Sequence, residues 1–598
     1  PLFLLCLFNI MSFKRINNKE LSVCKLSLTI AISTLFFNTF SQNNVLFEHP
    51  DTLNNQYHIS GSIDSVDAFT PYLMSSFPSA QSNSLFLRPG QLFYEGGSKA
   101  FIRSQTFKKT YSSLPHLGFA YTFGMQGFQS TKVNYTQAFQ NKLIININIL
   151  RSQATGLLRN SSWKNQYMST KLYKTGKKIS SFLSLDFSTV TAENNGGVLN
   201  ISDINTYTHD LLAVNKDNAF EEKRAIWLKQ ENFINLSSDS INQQGVFTKH
   251  HLILQNRQYQ ENDTLYGLYQ NIYSDSLVTF DNLQNSKAAN TFGYYISRNK
   301  INFEIGARAN FWSYHIGNMY RDTLETDLTT SFSFKTNKFK LNQSGYFNLT
   351  GASNGWKNKI AVSKTGHSTN INLSWLIEAR LPDLYKRHYL SNNHYYSNNS
   401  FVLQQTNRIN ASADFRLDKQ KIKLNTEFIS IKNPYIFFSN NWSPSVINQV
   451  NIFQIKLSAD LNYKFLSIYP YYNFSLMPNN LTIYPAHHVG SRILIKGGVF
   501  KAKKLFLYGG VEPLFISSFN RIAYLPSMGV FDLNNIGGRN KGYFDLRIFT
   551  GFKLDSFKFF VRAENLNFLW TDKETQVISG FPIPSVQIRM GLTWDFWN

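Results

Sequence analysis

The last fourteen residues, "SVQIRMGLTWDFWN" from Ser585 to Asn598, set Val586, Ile588, Met590, Leu592, Trp594 and Phe596 in strict alternation with Gln587, Arg589, Gly591, Thr593 and Asp595. Successive side chains of a β-strand point to opposite faces. One face of this segment is therefore wholly apolar, and the other carries an amide, a guanidinium, a hydroxyl and a carboxylate. Such a strand suits a soluble sheet with its apolar face in a core. It equally suits a membrane barrel with that face against lipid and the polar face on a wet lumen.

The way the pattern recurs separates the two. Alternating segments come in pairs joined by very short polar turns: "KVNYTQAF" and "KLIININIL" around Gln140-Asn141, "NQYMSTKLY" and "ISSFLSLDFSTV" around "KTGKK", and "TTSFSFK" and "KFKLNQSGYF" around Thr336-Asn337. The same unit returns in "FRLDKQKIKLNTEF", "RILIKGGVFKAKKLFLYGGV" and "YFDLRIFTGFKLDSFKFFVRAEN". These are hairpins, and lysines cluster at many of their turns. Longer polar segments fall between them, near 191–223, 259–288, 379–400, 519–540 and 571–583. Alternation of short turns with long loops is the habit of outer-membrane barrels, whose short turns face the periplasm. Counting from His116 predicts an all-β fold: a transmembrane antiparallel meander β-barrel of about 22 strands, within a range of about 18 to 24.

Charged residues are only 16 % and aromatics 15 % of the chain, so something other than charged surface covers it. Beyond the N-terminus no stretch of about 18 apolar residues occurs, which excludes helical spans. A soluble sandwich remains the alternative. Against it stand an export leader, the absence of mature cysteines, and aromatic residues such as Trp375, Phe552, Phe557, Trp594 and Phe596, expected on outward faces near strand ends.

The leader is read from Lys14, Arg15, Lys19 and Lys25, the apolar run "LSLTIAISTLFF", and Thr39 and Ser41 before Gln42. Translation is expected to begin at Met11 and cleavage to fall near Ser41. The expected organisation is thus a leader over 1–41, a lead over 42–115 that is periplasmic or inside the lumen, and a barrel over 116–598. Cys6 and Cys24 both fall before residue 42, so the mature chain would offer no disulfide, cysteine nucleophile or thiolate metal site. The formal charge is +23, of which the leader takes +3, leaving +20. Nucleic acid is a poor partner for an exported chain. Attraction to lipopolysaccharide at the rim, or an anion-favouring lumen, explains the charge better, the rim being the plainer of the two.

Three stretches, "HLGFAYTFGMQGFQSTKVNYTQAFQNKLIININI", "SFLSLDFSTVTAENNGGV" and "RAIWLKQENFINL", together with the closing "FPIPSVQIRMGLTWDFWN", resemble the putative porin family of Gram-negative outer membranes. The resemblance runs from about residue 110 to the end, with 260–540 matched by pattern only. It implies an outer-membrane barrel inserted by the barrel insertion machinery, and it brings no catalytic motif.

No phosphate loop, nucleophile elbow or dinucleotide fingerprint stands out, so no enzyme and no cofactor are expected. His250-His251 and His487-His488 cannot each chelate one metal, because neighbours in a strand face apart, and they are expected at polar or interfacial positions near loops. "GGSKAF" and "NNGG" read as turns. Charge on the polar face remains the candidate for function. Arg492, Lys496, Arg547, Arg562, Glu564 and Arg589 are expected to line the pore, with Asp545, Lys553 and Lys558 on the same face. In the hairpin around Asp555-Ser556 a two-residue loop sets Leu554 opposite Phe557, Phe552 opposite Phe559, Lys553 opposite Lys558 and Arg547 opposite Glu564. The expected activity is passive diffusion of small polar or anionic solutes, with secretion assembly or adhesion as the alternative. An energised, plugged transporter is disfavoured, since about 70 residues precede the meander where a plug would need roughly twice that.

Overall fold

The computed structural model describes residues 114–597 except 141, 238–241, 263–270, 274–277, 352–353, 398–401, 419, 439–440, 444–447, 479–482, 500–503 and 571. The expected leader, the "GGSKAF" turn and nearly all of the lead lie outside the described residues.

From His116 onward, 22 strands form one antiparallel sheet in which each strand pairs with its neighbour along the chain. The first strand, His116–Gly124, pairs with the last, Gln587–Trp597, from His116↔Trp597 to Gly124↔Arg589, which closes the barrel. Closure removes both edges, so the backbone groups of the wall pair from strand to strand without water, apart from short breaks in the ladder beside Pro470 and Pro513.

The alternation behaves as the physics requires. In the last strand Ile588, Trp594 and Phe596 are exposed on the outer face, while Gln587, Arg589, Thr593 and Asp595 are buried on the inner one. Phe557, Trp594 and Phe596 form an outward aromatic cluster at the end where the first strand begins and the last ends, with Trp594 4.6 Å from Phe596 and 5.8 Å from Phe557. Trp375 faces outward from the middle of its strand, Thr369–Arg380, rather than from an end.

The start of the first strand at His116, the end of the last at Trp597 and the short turns share one end, the periplasmic end of such barrels. The hairpin Tyr543–Leu554/Phe557–Glu564 turns on Asp555, at φ 49°, and Ser556. Its register is Leu554↔Phe557, Lys553↔Lys558, Phe552↔Phe559, Thr550↔Val561 and Ile548↔Ala563, as the two-residue loop dictates. The opposite end carries the long segments 194–218, 263–277, 381–403, 433–448, 517–542 and 565–586. The segment expected over 259–288 is shorter because Asn242–Asn262 and Val278–Arg298 run for 21 residues each, about 70 Å if fully extended and well beyond the wall.

Candidate functional site

Two features of the lumen invite a functional reading: a charged belt on one side and a closure at the outer end.

The belt is built by the strands His487–Val499, Leu505–Ile516, Tyr543–Leu554, Phe557–Glu564 and Gln587–Trp597. Arg492 Nε donates to Glu512 Oε1 at 2.7 Å, and Arg562 Nη2 donates to Glu512 Oε2 at 2.6 Å. Arg547 lies 3.6 Å from Glu512 and 3.3 Å from Asp545. Glu564 receives Arg562 at 3.0 Å and Arg589 at 3.2 Å. Four guanidinium groups thus share three carboxylates, and almost all of these side chains are buried. Arg547 and Glu564 lie one step beyond the last paired residues of their hairpin, but their ion pairs are not with each other. Arg547 takes Glu512 from the preceding strand, its direct partner across the ladder, and Glu564 takes Arg589 from the following one. An arginine in a wall has neighbours on both flanking strands and on its own, and the register of one hairpin does not decide among them.

Lys496 lies on the same inner face as Arg492 but four residues further toward the periplasmic turn, exposed and outside this network. Sequence reasoning missed Glu512, the residue that joins three of the arginines. The signal was there: Glu512 is the only acid in "LFLYGGVEPLF", on the inward parity of its strand. His250 bonds Asn290 at 2.8 Å, and both His250 and His251 lie within a long strand rather than near a loop. His488 is buried beside Asn473, and His487 contacts the Tyr472 hydroxyl at 2.9 Å. Among the described residues no cluster of His, Cys, Asp or Glu could hold a metal ion.

The closure is made by long outer segments folded inward. Strands Phe519–Leu525 and Val530–Asn540 form a hairpin that joins Gln576–Ile578 and Phe581–Pro582 in a second, four-stranded sheet. Phe519, Ile522, Ile578 and Phe581 of that sheet are buried against Ile431, Val450, Ile452 and Ile516 of the inner wall. The hairpin tip turns on Gly529, at φ 67°, where its N–H closes on Leu525 O at 2.8 Å. Met528 and Val530 pack there with Tyr389, Tyr396, Phe437 and Trp442 from two other outer segments. Such apolar packing excludes water from these contacts.

Arg257, on the far side of the barrel, clamps the tip. It is 1 % exposed, and donates from Nη2 to Pro526 O at 2.6 Å and from Nη1 to Ser527 O at 2.8 Å. Its Nε holds Glu221 at 2.6 Å, and Lys223 holds the same carboxylate at 2.7 Å. His394 Nε2 lies 3.2 Å from Ser527 Oγ. Burial pushes the His394 imidazole down to about 4, with Lys216 acting in the same direction. "NNGG" is a turn, as read: Gly197, at φ 87°, lies so close to Gly580 that a Cβ would meet its carbonyl oxygen at 2.9 Å. The two segments are tied by Val198 N–H donating to Gly580 O at 2.7 Å.

A closed barrel with an apolar exterior, a charged interior and outer segments folded into the mouth defines a large outer-membrane barrel. The chain belongs to the putative porin family, whose model matches residues 37–598. That match takes in the lead and the middle of the chain, well beyond the resemblance read from residue 110. No curated protein matches in sequence. Solved structures of similar fold include BauA, the ferric preacinetobactin receptor from Acinetobacter baumannii, at 11 % identity over 82 % of this chain and 81 % of that one, with a TM-score of 0.53. The apoprotein form of the FrpB iron transporter from Neisseria meningitidis is similar at 9 % identity, covering 84 % and 86 % of the two chains, with a TM-score of 0.57. The copper transporter OprC is similar at 9 % identity and 82 % coverage of each chain, with a TM-score of 0.57. At these identities the likeness is one of fold, and family and fold together imply the outer membrane.

Proposed function

We propose that this protein is a non-catalytic outer-membrane channel through which small polar or anionic solutes diffuse, and that the hairpin Phe519–Asn540 gates its outer mouth. The carrying observation is the inner wall, which is polar and charged down to the periplasmic turns, while a hairpin held at its tip by Arg257 reaches across its outer opening among other outer segments. A hydrated, charged wall serves solutes that keep their water, and diffusion needs no cofactor or energy source.

Planar-bilayer recording of the purified protein tests this. The expected result is brief, infrequent openings in the wild type and sustained large steps in Arg257→Ala. Absence of current in both would overturn the reading.

A second reading is an uptake barrel that opens only on binding its cargo. The strand count and the closed mouth favour it, because barrels of 22 strands commonly hold a plugged lumen. A solute that raises the opening rate from the outer side alone would support it over simple diffusion. Neither the belt nor the closure bears on secretion assembly or adhesion.

A further inference from the structure

The formal charge of +23 is not spread evenly over this molecule. Nine of the ten turns at the periplasmic end carry a lysine or arginine within two residues of the turn, so the cations gather at the end opposite the lipopolysaccharide rim.

Strand register shows where several of them point. Lys335↔Lys340, Arg416↔Lys421 and Lys553↔Lys558 are direct cross-strand pairs of like charge. Alternation puts them on the inner face, the one that carries Asp327, Glu427 and Arg547 higher on the same strands. Like charges directly opposite each other destabilise a sheet, a cost that Asp414 and Asp460, beside Lys421, offset at one of the three pairs. Lys496 faces inward at the same level. The inward acids of this end are engaged elsewhere: Glu304 with Lys249 at 2.5 Å, Asp595 with His116 at 3.1 Å, and Asp414 with Lys421 at 4.0 Å, while Asp460 stands opposite Lys421. Lys335, Lys340, Arg416, Lys496 and Lys553 have no ion-pair partner among the described residues, and all but the half-buried Lys553 are exposed. The arginine belt is the opposite case, its charge nearly cancelled by Glu512, Asp545 and Glu564. Arg547 stands six residues above Lys553, about 20 Å along the strand.

We infer that Lys335, Lys340, Arg416, Lys496 and Lys553 form an anion filter at the periplasmic mouth, distinct from the arginine belt, which braces the wall. The inference rests on the conduction reading above. Its ligands are small hydrated oxyanions and halides, carboxylates and phosphates among them. Lysine ammonium groups act as mobile point charges without the rigid fork of a guanidinium, so the filter sorts by sign and valence rather than by shape. Because the cations sit at one end, salt on that side alone screens them: the Debye length falls from about 10 Å at 0.1 M to about 3 Å at 1 M.

The test is the reversal potential of oriented channels in a KCl gradient. It compares the wild type with the full-length variant Lys335→Gln, Lys340→Gln, Arg416→Gln, Lys496→Gln, Lys553→Gln, and with Lys335→Gln, Lys340→Gln alone as a milder change. Arg257→Ala serves as a common background if the wild type opens too rarely. Expected are anion preference near about 0.1 M salt, its loss on raising the periplasmic side alone to about 1 M, a rectifying current at low salt, and a graded fall of preference from two substitutions to five. Current that persists with an unchanged reversal potential in the fivefold variant overturns the filter and leaves the conduction reading standing. Equal sensitivity to salt on both sides overturns its placement at this mouth. Absence of current from wild type and Arg257→Ala alike overturns the conduction reading and the filter with it.

Discussion

Arg257 and Pro526, 269 residues apart in sequence, meet at 2.6 Å across the outer mouth, where a buried guanidinium takes the carbonyl of a hairpin rooted on the other side of the barrel. In the gating proposed above, this contact is the one that holds the mouth closed. The rest of the hairpin tip is held by the His394–Ser527 contact at 3.2 Å and by apolar packing, which confers no direction on its own.

Replacing Arg257 by alanine removes two charge-assisted hydrogen bonds to the tip and leaves Glu221 paired with Lys223. A loss of about 3 kcal/mol is expected, more than a hundredfold in the closed-to-open ratio. Open probability in bilayers, or protease cleavage near Pro526 in detergent, measures it. Arg257→Lys should recover part of the closure, since one ammonium cannot serve both carbonyls as the fork does.

Acid should loosen the same tip. His394 is held neutral at Ser527, with its pKa lowered to about 4, and returns to about 6.5 once released. Its contribution to closure is therefore complete above about pH 6.5 and is lost as the pH falls from there toward 4. The slope is about 1.4 kcal/mol per pH unit, or about 3 kcal/mol in all. The Asp281 carboxylate, which accepts the Asn392 N–H at 3.1 Å, faces the same segment. His394→Gln isolates the histidine: open probability should rise more steeply between pH 6.5 and 4.5 in the wild type than in this variant.

Glu512 is the keystone of the belt. Glu512→Gln would leave Arg492, Arg547 and Arg562 sharing fewer negative charges in a buried row, at a cost of about 3–5 kcal/mol. The expected outcome is a barrel that unfolds at a lower temperature, read as the shift between folded and unfolded bands on a gel. Unchanged heat stability would show that water rather than the carboxylate satisfies these arginines.

Gly197→Val places a branched side chain at φ 87° and against the Gly580 carbonyl. A cost of about 2 kcal/mol or more is expected, confined to the outer segments 194–218 and 565–586. Limited proteolysis should cut there first, with the barrel strands still resistant.

Much of this molecule was legible in its sequence because a barrel wall is governed by short-range rules. A side-chain period of two sets which residues face lipid, and loop length sets register: two residues between Leu554 and Phe557 suffice to pair Ile548 with Ala563. The inward placement of Arg492, Arg547, Arg562 and Arg589 comes from the same count. Their partners do not. Glu512 contacts three arginines from different strands because long side chains choose among several neighbours, and only the lateral order and twist of the sheet settle which carboxylate is nearest. The outer mouth lay further out of reach. Segments such as 517–542 have no period, and their burial depends on wall residues hundreds of positions away. Ile431 and Ile516 on one side and Arg257 on the other come together only when 22 strands close into a ring. Alternation in the sequence determined the faces and pairing of the wall; closure of the barrel decided what spans its lumen, because that depends on distances across the ring, which no local pattern encodes.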